Sequence, residues 1–181
     1  MTTAWVLQKI EVKDYKKALL LAFFGSVFVA LFARVQLPFV PVPLTGQTLG
    51  VLLVGGFLGA RLGALSLLLY LLEGALGLPV FARGGGVAYL LGPTGGYLFA
   101  FPLAAFLAGY LVERGAARRF PPALLAMLAA AFSVFLLGVP WLGLYLGADL
   151  GRALALGFYP FVPGEVLKAA LAALILYRGY R

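Results

Sequence analysis

From Gly77 to Leu98 the chain reads GLPVFARGGGVAYLLGPTGGYL, punctuated by glycine and proline, with Arg83 as its one charge and long apolar segments on both sides. Backbone this irregular leaves N–H and C=O groups without helical partners, and in hydrocarbon each of them must be met by protein or water. The flanking segments belong in lipid: 64% of the chain is hydrophobic and 11% charged, with a mean hydropathy of +1.05, against about 45 to 50% apolar and about 25% charged residues in an ordinary soluble domain. The stretch is therefore expected to line a cavity inside an integral membrane protein.

The apolar runs are helical in length and lack the alternation of a barrel strand. They predict an all-α membrane protein, one bundle of six transmembrane helices. Residues 1–17 carry Lys9, Lys13, Lys16 and Lys17 among apolar residues and read as an amphipathic basic leader at the interface; residues 18–181 form the six-helix domain. The first span runs from Ala18 to Ala33, too long for a signal-peptide core. Pro38, Pro41 and Pro43 make the segment from Val35 to Pro43 a loop. A short second span covers about Thr45 to Ala60, Arg61 breaks it, and a third covers Leu62 to about Leu78. A fourth spans Gly95 to Val112 and a fifth Ala123 to about Val139. Trp141, Tyr145, Asp149 and Arg152 are then expected in a connection, and the last span covers Gly164 to about Tyr177.

A net charge of +8 would suggest nucleic acid as a partner of a soluble protein, but here it is first a matter of sidedness. With six spans one face holds the leader lysines, Arg61, Arg114, Arg118, Arg119, Arg178 and Arg181, while the other holds Arg34, Arg83 and Arg152. Positive charge marks the cytoplasmic side, so both termini are expected in the cytoplasm. The Gly77–Leu98 stretch, the Pro-rich loop and the start of span six then lie outside.

Glu165 and Lys168 stand at i and i+3, on one helical face near the outer end of span six. Ionisable groups there normally face the bundle interior, although an intrahelical pair with a snorkelling lysine is the competing reading. Glu73, Arg83, Gln47 and Thr45 are expected near the same level, Tyr89, Tyr97, Phe81 and Phe99 could stack on a flat ligand, and Gly96 is a further candidate beside them. Two cations suit a ligand carboxylate and the carboxylate and amide oxygens suit N–H donors, which together describe a small amphipathic acid. Arg83 could equally be an exposed loop residue, the aromatics an interfacial belt, and the glycines sites of helix packing. On span one, Ala18, Ala22 and Ser26 form a small-residue seam, which seats either a partner helix or the chain's own.

With zero Cys and zero His there is no disulfide, thiolate metal site, imidazole base or shuttle. No phosphate-binding loop is present either, so the chain is expected to be neither an ATPase nor an enzyme, and to need no metal or cofactor.

Four segments carry a family resemblance: Pro43-Leu44-Thr45-Gly46-Gln47-Thr48, Tyr70 with GALGLPVFA from Gly74 to Ala82, GPTGGYL from Gly92 to Leu98, and FVPGEVLK from Phe161 to Lys168. In order and spacing they resemble the BioY family, biotin-specific substrate-binding S components of energy-coupling factor (ECF) transporters. The resemblance implies a multi-pass protein of a prokaryotic plasma membrane that binds biotin from outside, beneath the Pro-rich loop, with the span-six acid and lysine in the pocket. It implies partners, a membrane T component and two ATPase subunits, with Ala18, Ala22 and Ser26 contacting the T component. The family usually has Gly-Asp where this chain has Gly164-Glu165. Lys168 is the first candidate for the ligand carboxylate and Arg83 the second. The alternative is a self-contained, homo-oligomeric facilitator or channel for a small carboxylated solute.

Overall fold

The structure, a computed structural model, describes residues 15–180. Lys9, Lys13 and most of the expected leader lie outside the described residues, and Lys16 and Lys17 already belong to the first helix. The elements in order are α1 (Tyr15–Phe32), β1 (Gln36–Leu37), β2 (Leu44–Thr45), α2 (Gln47–Ala75), α3 (Val87–Leu90), α4 (Gly95–Glu113), a 3₁₀ turn (Ala116–Arg118), α5 (Phe120–Leu146), α6 (Leu150–Gly157) and α7 (Val162–Gly179).

Although α2 is continuous by hydrogen bonding, it is two helices folded back on each other. Gly59 has φ 84° and ψ 175°, backbone that only glycine adopts readily. The Nε2 of Gln47 donates to Tyr70 Oη at 2.6 Å, whereas 23 positions of straight helix would separate the two by roughly 35 Å. Gly55 and Gly63 meet across the fold with no room for a side chain between them. Glu113, from the end of α4, closes the turn by accepting the Ala60 N–H at 2.8 Å. The chain therefore reverses at Gly59, before Arg61, which belongs to the returning arm. The basic side chain signals polarity, but the glycine makes the turn.

Counted by length and apolar character, α1, α2, α4 and α5 can each cross a membrane, and α6 with α7, bent by 52°, makes a fifth crossing. The reversal divides α2 into two antiparallel arms, so the bundle is built of six helical legs. Neighbouring contacts fix their directions. Phe32 packs on Gly46 and Gly50, Gly55 on Ala105, and Gly56 on Leu176, so α7 and α4 run parallel to the first arm of α2 and α1 runs against it. Tyr15 and Gly179 consequently lie at the Gly59 end.

Two other boundaries differ from expectation, and the Pro-rich loop has paired strands. The third span ends at Ala75 rather than Leu78, because Gly77 turns the chain at φ 93°. α5 continues through Pro140 to Leu146, taking Trp141 and Tyr145 out of the expected connection. One missing N–H is tolerable where the surrounding bundle holds the rest of the turn, and the next residue is anchored to the glycine-rich stretch, Trp141 donating Nε1–H to Gly92 O at 2.8 Å. The Pro-rich segment is a short antiparallel hairpin, Gln36 opposite Thr45 and Leu37 opposite Leu44, with the prolines outside the paired positions.

The core divides along its length. Toward the Gly59 end it is made of small residues, among them Ala108, Ala126, Ala130, Ala169, Ala172 and Ala173, which let helices approach closely where no hydrophobic effect drives them together. Toward the hairpin end it is aromatic: Tyr70, Phe81, Tyr97, Phe101, Phe135 and Phe161. The arms of α2, 12 and 16 residues on either side of Gly59, reach only about 18 and 24 Å, short of a hydrocarbon core of about 30 Å. The hairpin and the Gly77–Leu98 stretch fill the remaining depth.

Candidate functional site

A cavity opens where the short arms end. Its walls are Val42, Pro43 and Thr45 of the hairpin, Gln47 and Thr48 of α2, Tyr89 and Thr94 of the glycine-rich stretch, Tyr97, Leu98 and Phe101 of α4, Val134 and Phe135 of α5, and Phe161, Glu165 and Lys168 at the head of α7. Of the sequence candidates, Lys168, Glu165, Thr45, Gln47, Tyr89 and Tyr97 come together here.

The polar side is one network. Lys168 Nζ donates to Thr45 O at 2.9 Å, to Thr48 Oγ1 at 3.4 Å and to Glu165 Oε1. Thr48 Oγ1 donates to the same Oε1 at 3.1 Å. Glu165 is 5% exposed, and its second oxygen, Oε2, is buried and accepts no hydrogen bond from the described residues. An unpaired buried acceptor costs about 1 to 3 kcal/mol, so a donor entering this cavity from outside the chain has somewhere to bind. Gln47 is otherwise engaged: its Oε1 accepts from Thr45 Oγ1 at 2.9 Å and its Nε2 reaches Tyr70 Oη, which in turn donates to Val80 O at 2.9 Å. Gln47 and Tyr70 thus tie both arms of α2 to the glycine-rich stretch behind the wall.

The opposite side is aromatic. Tyr97 stacks on Phe161, centroids 6.2 Å apart and planes 24° apart, and its hydroxyl donates to Gly157 O at 2.8 Å. Phe135 meets both rings edge-on, and Tyr89 lies on Phe81 at 5.2 Å and 26°. Offset and edge-on pairs of this kind hold ring faces in fixed directions. The rings leave a cavity of about 50 Å³, room for about three or four waters, so a flat bicyclic ligand enters only by moving the hairpin or the rings.

The remaining candidates stand elsewhere. Arg83 is exposed, and its guanidinium donates to Phe39 O at 3.4 Å. It belongs to a set of ties between hairpin and glycine-rich stretch that includes Arg34 to Pro79 O and Gln36 Nε2 to Ala82 O at 3.0 Å. Glu73 is buried but faces α1, where Ser26 Oγ donates to its Oε1 at 2.9 Å. A helical residue one turn from the cavity rim can still point to the wrong face. Gly96 packs against α5, where an added Cβ would lie 2.6 Å from Leu137 O. The Ala18, Ala22 and Ser26 seam is buried at 5%, 0% and 0% exposure. Beside it, Gly25 abuts Ser66, so the returning arm of α2 occupies the seam and leaves no surface there for another protein's helix.

Thr48, Phe161, Phe135 and Phe101 were not singled out from the sequence. Thr48 had a signal, since it stands one helical turn after Thr45 in the Thr-Gly-Gln-Thr motif. Phe135 and Phe101 had none, lying in uniformly apolar helices where no periodicity separates a lipid face from a cavity face.

Comparison with known proteins agrees over nearly the whole length. The BioY family matches residues 3–181. A probable biotin transporter BioY of Pyrococcus horikoshii is 43% identical over 157 residues, 84% of this chain and 91% of the relative. A biotin transporter BioY of Thermotoga maritima is 41% identical over 158 residues, covering 85% and 92%. Among solved structures, the crystal structure at 2.1 Å of the S-component for biotin from an ECF-type ABC transporter superposes with a TM-score of 0.78 at 30% identity, over 91% of this chain and 90% of that one. The motifs, the helical bundle and the comparisons converge: the chain belongs to the BioY family.

Proposed function

We propose that this chain is the biotin-binding S component of an ECF-type vitamin transporter in a prokaryotic plasma membrane, a transport subunit and not an enzyme. The observation that carries the ligand reading is Glu165 Oε2, a buried acceptor without a donor among the described residues, set beside a lysine and opposite stacked rings. Biotin offers what those groups lack: ureido N–H donors for Glu165, a flat bicycle for Tyr97 and Phe161, and a carboxylate for Lys168. Charge-assisted hydrogen bonds are worth about 1.5 to 3 kcal/mol each, enough to orient a small ligand in an otherwise apolar site. The hairpin is the mobile wall, since a handful of side-chain bonds to carbonyls hold it and an opening of this kind draws on the least stable part of a fold.

Both termini lie in the cytoplasm in this reading and the cavity faces outside, as the arginine distribution favours. Energy comes from a membrane T component and two ATPase subunits. Because Ala18, Ala22 and Ser26 are covered, the T component meets the exposed face of α1, which presents Leu20, Phe23, Phe24 and Phe28. Calorimetric titration of the purified chain tests the ligand assignment. One biotin per chain is expected, and saturable binding of a different vitamin without any of biotin would overturn it.

A further inference from the structure

Lys168 and Thr45 line two spaces. Besides the central cavity, they border an apolar groove of about 370 Å³ on the outside of the bundle, walled by Phe32, Leu37, Leu44, Leu49, Gly164 and Leu167. The alternation of the hairpin strand produces this double role: Pro43 and Thr45 are in the cavity wall, and Leu44 between them is in the groove wall. α7 does the same by helical spacing. Glu165 is on the cavity side, Gly164 and Leu167 on the groove side, and Lys168 on both. What separates the two spaces is therefore the Lys168 side chain together with Thr45, joined by the 2.9 Å hydrogen bond from Nζ to Thr45 O.

We propose that this groove is a second subsite, which takes a hydrocarbon substituent carried on the acid end of the ligand. The inference rests on the reading that a ligand carboxylate lies at Lys168. A chain attached there as an amide or ester points at the thinnest part of the wall, and a small displacement of the ammonium lets it pass between α7 and β2. The groove walls are nearly all hydrocarbon, so they accept an alkyl chain and offer nothing to a polar one. The site is then selective at its ureido-binding end and tolerant at its acid end: n-alkyl amides of biotin are ligands, with the alkyl chain lying on the membrane side of the bundle.

The test is a series of N-alkyl biotin amides, from methyl to hexyl, titrated against the whole purified chain and two variants that fill the groove. A side chain added at Gly164 meets no atom within 4 Å, so Gly164→Leu projects into free space, and Leu167→Trp narrows the groove from an exposed position. The methyl amide is expected to bind more weakly than biotin, having lost the carboxylate. Affinity should then rise by up to about fourfold for each methylene that enters the groove. In either variant that rise flattens while biotin affinity stays within about twofold. Equal slopes in wild type and variants would assign the gain to detergent partitioning and overturn the subsite. Rejection of every amide by a chain that still binds biotin would overturn it too, leaving the transporter assignment standing. A chain that binds neither biotin nor amide removes both.

Discussion

Replacing Lys168 by methionine separates the two jobs the site assigns to that residue. Glu165 has an exposed side-chain fraction of 6% and Lys168 of 16%, so the pair is shielded from water and from salt. Without the ammonium, the carboxylate keeps one donor, Thr48 Oγ1 at 3.1 Å. Breaking a buried pair from one side costs about 3 to 5 kcal/mol because the remaining charge is uncompensated, whereas removing both charges together is often close to neutral. Since the Lys168 side chain is 16% exposed and not fully buried, the lower end applies: about 3 kcal/mol lost in Lys168→Met, and stability within about 1 kcal/mol of wild type in Glu165→Gln/Lys168→Met. Lys168→Met loses the charge-assisted contact to the ligand carboxylate, about 1.5 to 3 kcal/mol, or roughly a 10- to 150-fold rise in the biotin Kd, and the double variant, which also loses the Glu165 carboxylate, weakens binding further. Unfolding followed by circular dichroism in mixed detergent reads the first quantity and calorimetry the second. If Lys168→Met alone unfolds like wild type, the lysine snorkels to solvent and the pair is not a buried charge pair. If it also binds biotin normally, the site as assigned here is wrong.

Further expectations follow from particular contacts. Gly59→Ala puts a side chain at φ 84°, against the Glu113 carboxylate. It should cost about 2 to 4 kcal/mol from strain and the loss of the cap on Ala60, and an unchanged unfolding midpoint would remove Gly59 as the cause of the reversal within α2. Arg83→Gln, at an exposed tie 3.4 Å long, should alter biotin affinity less than about twofold, as surface changes usually do; a tenfold loss in calorimetry would return Arg83 to the pocket. Because the chain has no cysteine, sidedness can be read from single introductions. Arg83→Cys should react with an impermeant maleimide on intact cells and Arg118→Cys only after permeabilisation, and the reverse pattern would invert the topology.

The all-helical bundle, the break at the Pro-rich segment and the Glu165–Lys168 face were legible because each rests on a local signal: run length, proline, helical spacing. The direction in which a buried group points was not. Glu73 and Glu165 are both carboxylates near the hairpin end, yet Glu73 turns to Ser26 on α1 and Glu165 to the cavity. In a uniformly apolar helix no polar face announces the azimuth, so only neighbouring helices decide it. The same limit hid Phe135 and Phe101, and it left the seam of Ala18, Ala22 and Ser26 open to two occupants until the packing of Gly25 on Ser66 settled which one fills it. The turn at Gly59 was placed two residues late because Arg61 gives a louder signal than a glycine in a run that contains several.

One helix carries the argument from packing to function. α7 begins with Glu165 and Lys168 among aromatic rings and continues with Ala169, Ala172 and Ala173, all at 0% exposure. Its inner half is thus locked against α5 and α2 by small residues at close approach, where any added methyl group meets backbone or packed side chains. Its outer half meets rings and a hairpin, which can rotate or lift without breaking the helix–helix contacts below. A ligand that opens the cavity therefore perturbs the hairpin and the ring stack and leaves the Gly59 end in register. If so, amide exchange on biotin binding should slow in the hairpin and in residues 77–94, and stay unchanged in the alanine-rich half of α7. Slowing throughout α7 would mean instead that the two halves of the core open as one unit.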